Sequence, residues 1–183
     1  MKTVVFYASR YGSTKAIAEF IAEKLCLQGI LAEARSTGMD SNPEDYDAIV
    51  IGSAVYMQHW MDEAVEFVQK HRAVLMNRPV WLFSSGPLEL SPEIVLENNL
   101  RLEPKDIPEL QGAINPRDHR IFFGILDPMK LGFKHRVLRK LPAAHAILPE
   151  GDFRNWNEIE AWANGIARAL ESLHVASESG REA

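Results

Sequence analysis

The sequence predicts one open α/β domain, a parallel β-sheet with helices on both faces. Short apolar, β-branched runs alternate along it with stretches of helical spacing. Those runs are mostly apolar, as strands covered on both sides must be. No internal repeat or low-complexity linker divides the chain, and 183 residues suit a single buried core.

The elements follow in order. Residues 2–8 (KTVVFYA) read as the first strand. From Thr14, the positions Ile17, Ala18, Ile21, Ala22 and Leu25 recur at helical spacing until Gly29 stops them. Residues 30–34 give a second strand, and a third is centred on residues 48–52. Residues 59–71 return to helical spacing through Ala64, Phe67 and Val68. Residues 80–84 form a fourth strand, 93–102 a helix, and the proline-bearing stretch EPKDIPELQGAINPRD a connection. Residues 121–124 make a fifth strand, and residues 157–173 a last helix through Ile159, Trp162, Ala163, Ile166, Ala167 and Leu170. The domain then covers residues 1–175, with a small, polar, frayed tail at 176–183.

Bulk properties narrow the function. The net charge of -5 and the pI of about 5.7 argue against a nucleic-acid partner. The single cysteine, Cys26, suits a reducing compartment. No run approaches the ~18 apolar residues of a membrane span, and the N-terminus shows no secretory pattern, so the expected location is cytoplasmic. The histidines and the cysteine show no ligand-like spacing, so no metal site is expected.

The turn between the first strand and first helix is Ser9-Arg10-Tyr11-Gly12-Ser13-Thr14. Its hydroxyls and the backbone amides at a helix start suit an anion, and Gly12 permits a tight backbone. The spacing matches neither G-x-x-x-x-G-K-[ST] nor G-x-G-x-x-G, which disfavours nucleoside triphosphates and dinucleotides. Two readings stand: a grip on a terminal monophosphate, or Ser13 or Thr14 simply capping the helix.

The turn resembles the phosphate loop of flavodoxins, T-x-T-G-x-T, with bulky Arg10 and Tyr11 as departures. YDAIVIGSAVYMQHWMDEAVEFV and VWLFSSGP are similar to the third and fourth strands of that superfamily with their flavin-contacting loops. The resemblance implies a five-stranded sheet of order 2-1-3-4-5, with FMN beyond its carboxyl ends. It also implies that Ser53, Ala54, Val55, Tyr56 and Met57, with Ser84, Ser85, Gly86, Pro87 and Leu88, flank the flavin ring. A narrower resemblance is to the menaquinone-dependent protoporphyrinogen IX dehydrogenases, FMN enzymes of haem synthesis. It rests on MKTVVFYASRYGSTKAIAEFIAEKL, the YDAIVIGSAV…H segment, and Asn155-Trp156. That likeness implies oxidation of protoporphyrinogen IX with electrons passed to a quinone. The wider alternatives are an electron carrier, a quinone reductase or a non-catalytic binding module.

Residues 126–154 form an extra segment with a basic amphipathic stretch at 129–141. Met129, Phe133, Val137 and Leu141 recur there among Lys130, Lys134, Arg136, Arg139 and Lys140. Such a pattern suits peripheral contact with an anionic membrane, or an acidic ligand, or plain packing on the domain. Tyr56, Met57 and Trp60 are candidates to pack on a flavin ring, with burial in the core as the alternative for Trp60 and Met61. His59 is a candidate ligand donor or an ordinary polar residue. Cys26 is expected buried, and Trp81, Phe83, Phe122 and Phe123 are expected in the core, with Trp156 and Trp162 packing the last helix.

Overall fold

The computed structural model describes residues 1–38, 42–86, 103–126 and 151–179. In chain order these form β1 (Lys2–Ala8), α1 (Ser13–Leu27), β2 (Leu31–Ser36), β3 (Ala48–Tyr56), β4 (His59–Trp60), α2 (Asp62–Lys70), α3 (Arg72–Leu75) and β5 (Val80–Ser85). Then come α4 (Ile107–Ile114), β6 (Asp118–Phe122), β7 (Ile125–Leu126), β8 (Gly151–Asp152) and α5 (Trp156–Ser179).

The main sheet runs β2-β1-β3-β5-β6, all parallel, with the short antiparallel β4 hung on the end of β3. Counting only the parallel strands, this is order 2-1-3-4-5. Central β3 is buried from Ala48 to Ala54, so it has no solvent face. Edge strand β2 is only half-covered and carries Glu33, Arg35 and Ser36.

Alternating side chains divide the core into two layers. Val5, Val50, Trp81, Phe83 and Phe122 pack against α1 and α5 on one face. Val4, Phe6, Ile49, Ile51 and Leu82 pack against α2, α3 and α4 on the other. Helix α1 therefore leaves β1 toward one face while α2 leaves β3 toward the other, and a crevice opens where they part.

Several boundaries differ from the sequence reading, each for a local reason. The helix expected at 59–71 starts at Asp62, because His59 and Trp60 turn back to pair with Tyr56 and Val55. The proline-bearing connection holds α4, whose buried Ile107, Leu110 and Ile114 form a helical stripe. Its proline, Pro108, sits in the first turn, where a missing N–H costs nothing. The fifth strand begins at Asp118 rather than residue 121, as a polar edge strand. Helix α5 runs to Ser179, past the expected end at residue 173 and into the stretch read as a tail.

Cys26 is exposed, not buried, and its thiol donates to the Ala32 carbonyl at 3.2 Å. Phe123 is only half-buried, while Trp81, Phe83 and Phe122 lie in the core. Trp162 is buried, and Trp156 packs on Phe20 at 4.8 Å between ring centroids. The helix expected at 93–102 and the basic stretch at 129–141 lie outside the described residues. The flanks of that stretch are paired: Ile125 and Leu126 bond Asp152 and Gly151 antiparallel. No described helix is long and apolar enough to cross a membrane.

Gly52 is fixed by packing. It lies opposite Phe83 in the β3–β5 register, and the Phe83 ring occupies the space its Cβ would fill. Gly52→Ala is expected to lower the unfolding free energy by about 1–3 kcal/mol through overpacking. Urea denaturation checks this; an unchanged midpoint would show that the Phe83 ring is free to move aside.

Candidate functional site

The site begins where β1 ends. Gly12 takes the N-cap position of α1 in a left-handed conformation, φ 89°, and no side chain caps the helix. Capping by Ser13 or Thr14 is therefore not what these hydroxyls do. The first intrahelical bond runs from the Ala16 N–H to the Gly12 carbonyl at 3.0 Å. The amides of Ser13, Thr14 and Lys15 thus precede the helical ladder, as at any helix start.

The hydroxyls are placed to join them. Ser9 Oγ accepts from the Gly12 N–H at 3.1 Å, and Ser13 Oγ accepts from the Ile125 N–H at 3.2 Å. A hydroxyl used as an acceptor still has its own hydrogen to donate. Thr14 is fully buried, and its Oγ1 has no hydrogen-bond partner among the described residues. A buried, unpaired hydroxyl costs roughly 1–3 kcal/mol. Uncharged donors at a helix start, one of them unsatisfied, fit a phosphate.

Three further segments meet this loop. The Gly86 N–H donates to the Phe122 carbonyl at 2.9 Å, joining the end of β5 to the end of β6. A Cβ on Gly124 would lie 3.5 Å from Ser13 Oγ and 3.7 Å from both Gly86 N and Ser85 Oγ, so these atoms crowd one spot. From β3, half-buried Tyr56 meets Tyr11 edge-on at 6.3 Å, with the Arg10 guanidinium 5.1 Å from its ring centre. Burial pushes the Tyr56 phenol up, and the charge of Arg10 pulls it partly back.

The predicted ring-flanking residues divide into two groups. Ala54, Val55 and Tyr56 form the carboxyl end of β3, and Met57, 94% exposed, follows in its turn. Ser53 and Ser84 are instead fully buried and face the α2–α4 layer. Ser53 Oγ donates to the Ala54 carbonyl and accepts from the Met61 N–H at 3.0 Å. Pro87 and Leu88 lie outside the described residues.

Trp60 is also core, 2% exposed, and its Nε1–H donates to Ser84 Oγ at 2.8 Å. His119 Nε2 lies 2.9 Å from the same oxygen, and His119 Nδ1 lies 3.8 Å from Glu103 Oε1. The indole can only donate, so Ser84 Oγ accepts from it and keeps its own hydrogen to give. Burial holds the His119 pKa below its ordinary value, against the pull of Glu103 and Asp118.

Sequence reasoning missed the clasp on the β3–β4 turn. Met57 and Gln58 both have positive φ, 52° and 67°, the geometry of a two-residue type I′ hairpin turn. Asp106 accepts from the Trp60 N–H at 2.7 Å and faces His59 Nδ1 at 3.0 Å, and the Lys105 N–H donates to the Gln58 carbonyl at 2.8 Å. The usual Asn-Gly signal is absent, so nothing local announced the turn. His59 is spoken for by Asp106. Among the described residues no group of His, Cys, Asp and Glu is arranged to hold a metal ion.

A profile described as the flavodoxin domain matches residues 4–146. Protoporphyrinogen IX dehydrogenase [quinone] of Escherichia coli strain K12 is 33% identical over 95 residues, 51% of this chain and 52% of that protein. The chain thus spans about half the length of the curated relatives it matches. Among solved structures, an archaeal flavodoxin superposes with a TM-score of 0.58 at 18% identity, covering 93% of this chain and 99% of its own. A Pseudomonas aeruginosa flavodoxin mutant gives 0.59 at 14%, with the same coverage. Rubredoxin oxygen:oxidoreductase of Desulfovibrio gigas gives 0.58 at 16%, covering 93% of this chain and 36% of that one.

The His119 relay carries a pH signature. The folded His119 imidazole, its pKa lowered by burial, takes up a proton less readily than the unfolded one, which does so below about pH 6.5. Stability owed to this residue is therefore unaffected above that pH and falls as the pH drops below it. Wild type is expected to lose more of its urea midpoint than His119→Gln between about pH 7 and about pH 5.5. His71, also held down chiefly by burial, adds an acid sensitivity common to both proteins. Equal slopes would show that the His119 imidazole is not held neutral.

Proposed function

Because the chain belongs to the flavodoxin domain family, we propose that it is an FMN-dependent oxidoreductase that takes hydrogen from protoporphyrinogen IX and passes electrons to a quinone. The observation carrying the cofactor assignment is the uncapped start of α1, where the opening amides stand beside the buried Thr14 hydroxyl, unpaired among the described residues. The name of the Escherichia coli relative supports the substrate and acceptor. Bound FMN would supply the electron chemistry, accepting electron pairs from one partner and releasing them to the other.

This chain's residues hold and orient. Ser9, Ser13 and Thr14 would donate hydroxyl hydrogens to the phosphate together with the amides of residues 13–15, so that the negative charge meets the positive end of the α1 dipole. The backbone of residues 54–57 and 85–86 would border the ring, where a close main-chain approach suits a flat heterocycle. Ser53 and Ser84 act from behind, fixing the β3 and β5 ends through Met61 and Trp60. Tyr11 and Tyr56 cover the rim and keep water from one side of the crevice.

Flavin absorption in the purified protein, and its loss on cofactor removal, tests the first part. Thr14→Val keeps the shape and removes the hydroxyl, so it is expected to weaken FMN by roughly 10-fold or more, the worth of a hydrogen bond to a charged group. Riboflavin, which lacks the phosphate, should be nearly unaffected. Equal losses for both ligands would place the phosphate elsewhere. Anaerobic turnover of protoporphyrinogen with a menaquinone analogue tests the substrate. Flavin reduction by other donors without porphyrin formation would leave only the redox assignment.

A further inference from the structure

We propose that Arg10 is the carboxylate-recognising residue of this site, engaging an acidic side arm of the flat substrate rather than the cofactor's phosphate. The inference rests on the porphyrinogen reading above, whose substrate carries two propionates on an apolar ring system. Arg10 is exposed, and its guanidinium makes no ion pair or hydrogen bond among the described residues. Its contact among the described residues is the face of Tyr56, 5.1 Å from the ring centre.

That placement matters chemically. A guanidinium held over an aromatic face by cation–π attraction, with no hydrogen bond among the described residues, keeps its N–H donors unspent. Those in-plane donors match both oxygens of a carboxylate. Tyr56 is itself braced edge-on by Tyr11, so the stack is fixed between two loops. Arg10 is the sole Lys or Arg among residues 9–14, 53–60 and 84–86, the three described strand ends that meet at the crevice. In a chain of net charge -5, an anionic substrate approaching these described strand ends meets a cation there in Arg10.

The phosphate has other donors. Ser9, Ser13, Thr14 and the opening amides of α1 are all uncharged and lie at the helix start. Arg10 points instead to a ring from the β3 end. Neutral donors at a helix N-terminus suffice for a phosphate. The fork is therefore free for a second anion beside the ring site.

The test uses FMN-loaded wild type, Arg10→Gln and Arg10→Lys, with protoporphyrin IX and its dimethyl ester as fluorescent probes. Wild type is expected to bind the diacid more tightly than the ester. Arg10→Gln should weaken the diacid by roughly 10-fold or more, as for a lost charge-assisted bond, and close the gap to the ester. Arg10→Lys should recover part of the gap, since it keeps charge without the fork. The KM for protoporphyrinogen should rise with the diacid dissociation constant, while FMN and riboflavin affinities change together or not at all. An unchanged diacid preference in Arg10→Gln overturns the proposal. So does a selective loss of FMN over riboflavin, which would assign Arg10 to the phosphate. If wild type oxidises protoporphyrinogen and Arg10→Gln does so with the same KM, this inference falls and the functional reading stands. If wild type neither binds nor oxidises it, both fall.

Discussion

The site depends on the parting of two helices. Helix α1 leaves β1 toward one face of the sheet, and α2 leaves β3 toward the other, although β1 and β3 are neighbours. Between them the amides opening α1 face a crevice with no side-chain cap, because Gly12 occupies that position. Peptide groups left without a ladder partner must find one elsewhere. The topology thus creates a set of unspent donors at the sheet edge, and the sequence adds hydroxyls instead of an internal acceptor. Thr14 is the sharpest sign of this, a hydroxyl taken fully out of water with no partner among the described residues.

Around that crevice, polar groups divide by burial into two roles. Ser53 and Ser84 belong to the framework: each bonds an element of the α2–α4 side and none of the loop that opens α1. The indole of Trp60, the Ser84 hydroxyl and the His119 ring form a continuous buried chain ending at Glu103. Asp106 and Lys105, from the same stretch as Glu103, hold the β3–β4 turn from outside. The positive φ of Met57 and Gln58 is thereby supported on both sides, which is how strained turns persist beside a site. Rigidity comes from these neutral or locally paired contacts, and the exposed rim is left to Arg10, Tyr11 and Met57.

Much of this was legible in the sequence. Continuous apolar runs announced β1, β3 and β5, and helical spacing announced α1 and α5 to within a few residues. The loop from Ser9 to Thr14 was legible because strand, glycine and helix follow one another without interruption. Elements set by distant partners were not. Trp60 turns back onto β3 because Asp106 and Ser84 await its two N–H groups, and both lie far along the chain. Helix α4 was hidden because Pro104 and Pro108 suggest a loop, although the 107, 110 and 114 spacing was present. Ser53 and Ser84 look like ligand donors in a list of polar residues. Only the alternation of the pleat, which turns them toward the α2–α4 layer, shows their side chains facing the core.

The remaining question is why so small a charge would serve the proposed anion site. A phosphate held by arginine or lysine would need full positive charge in the loop that opens α1. Amides and hydroxyls bind the same phosphate with partial charges spread over several atoms, confined to the first turn of α1. Arg10 does not disturb that arrangement, because it is exposed and lies against Tyr56, where solvent screens it. Charge placed at the rim acts on what arrives from solution, and uncharged donors placed within act on what stays bound. The division follows from dielectric alone, since the same guanidinium is worth far more to its surroundings when buried than when wet.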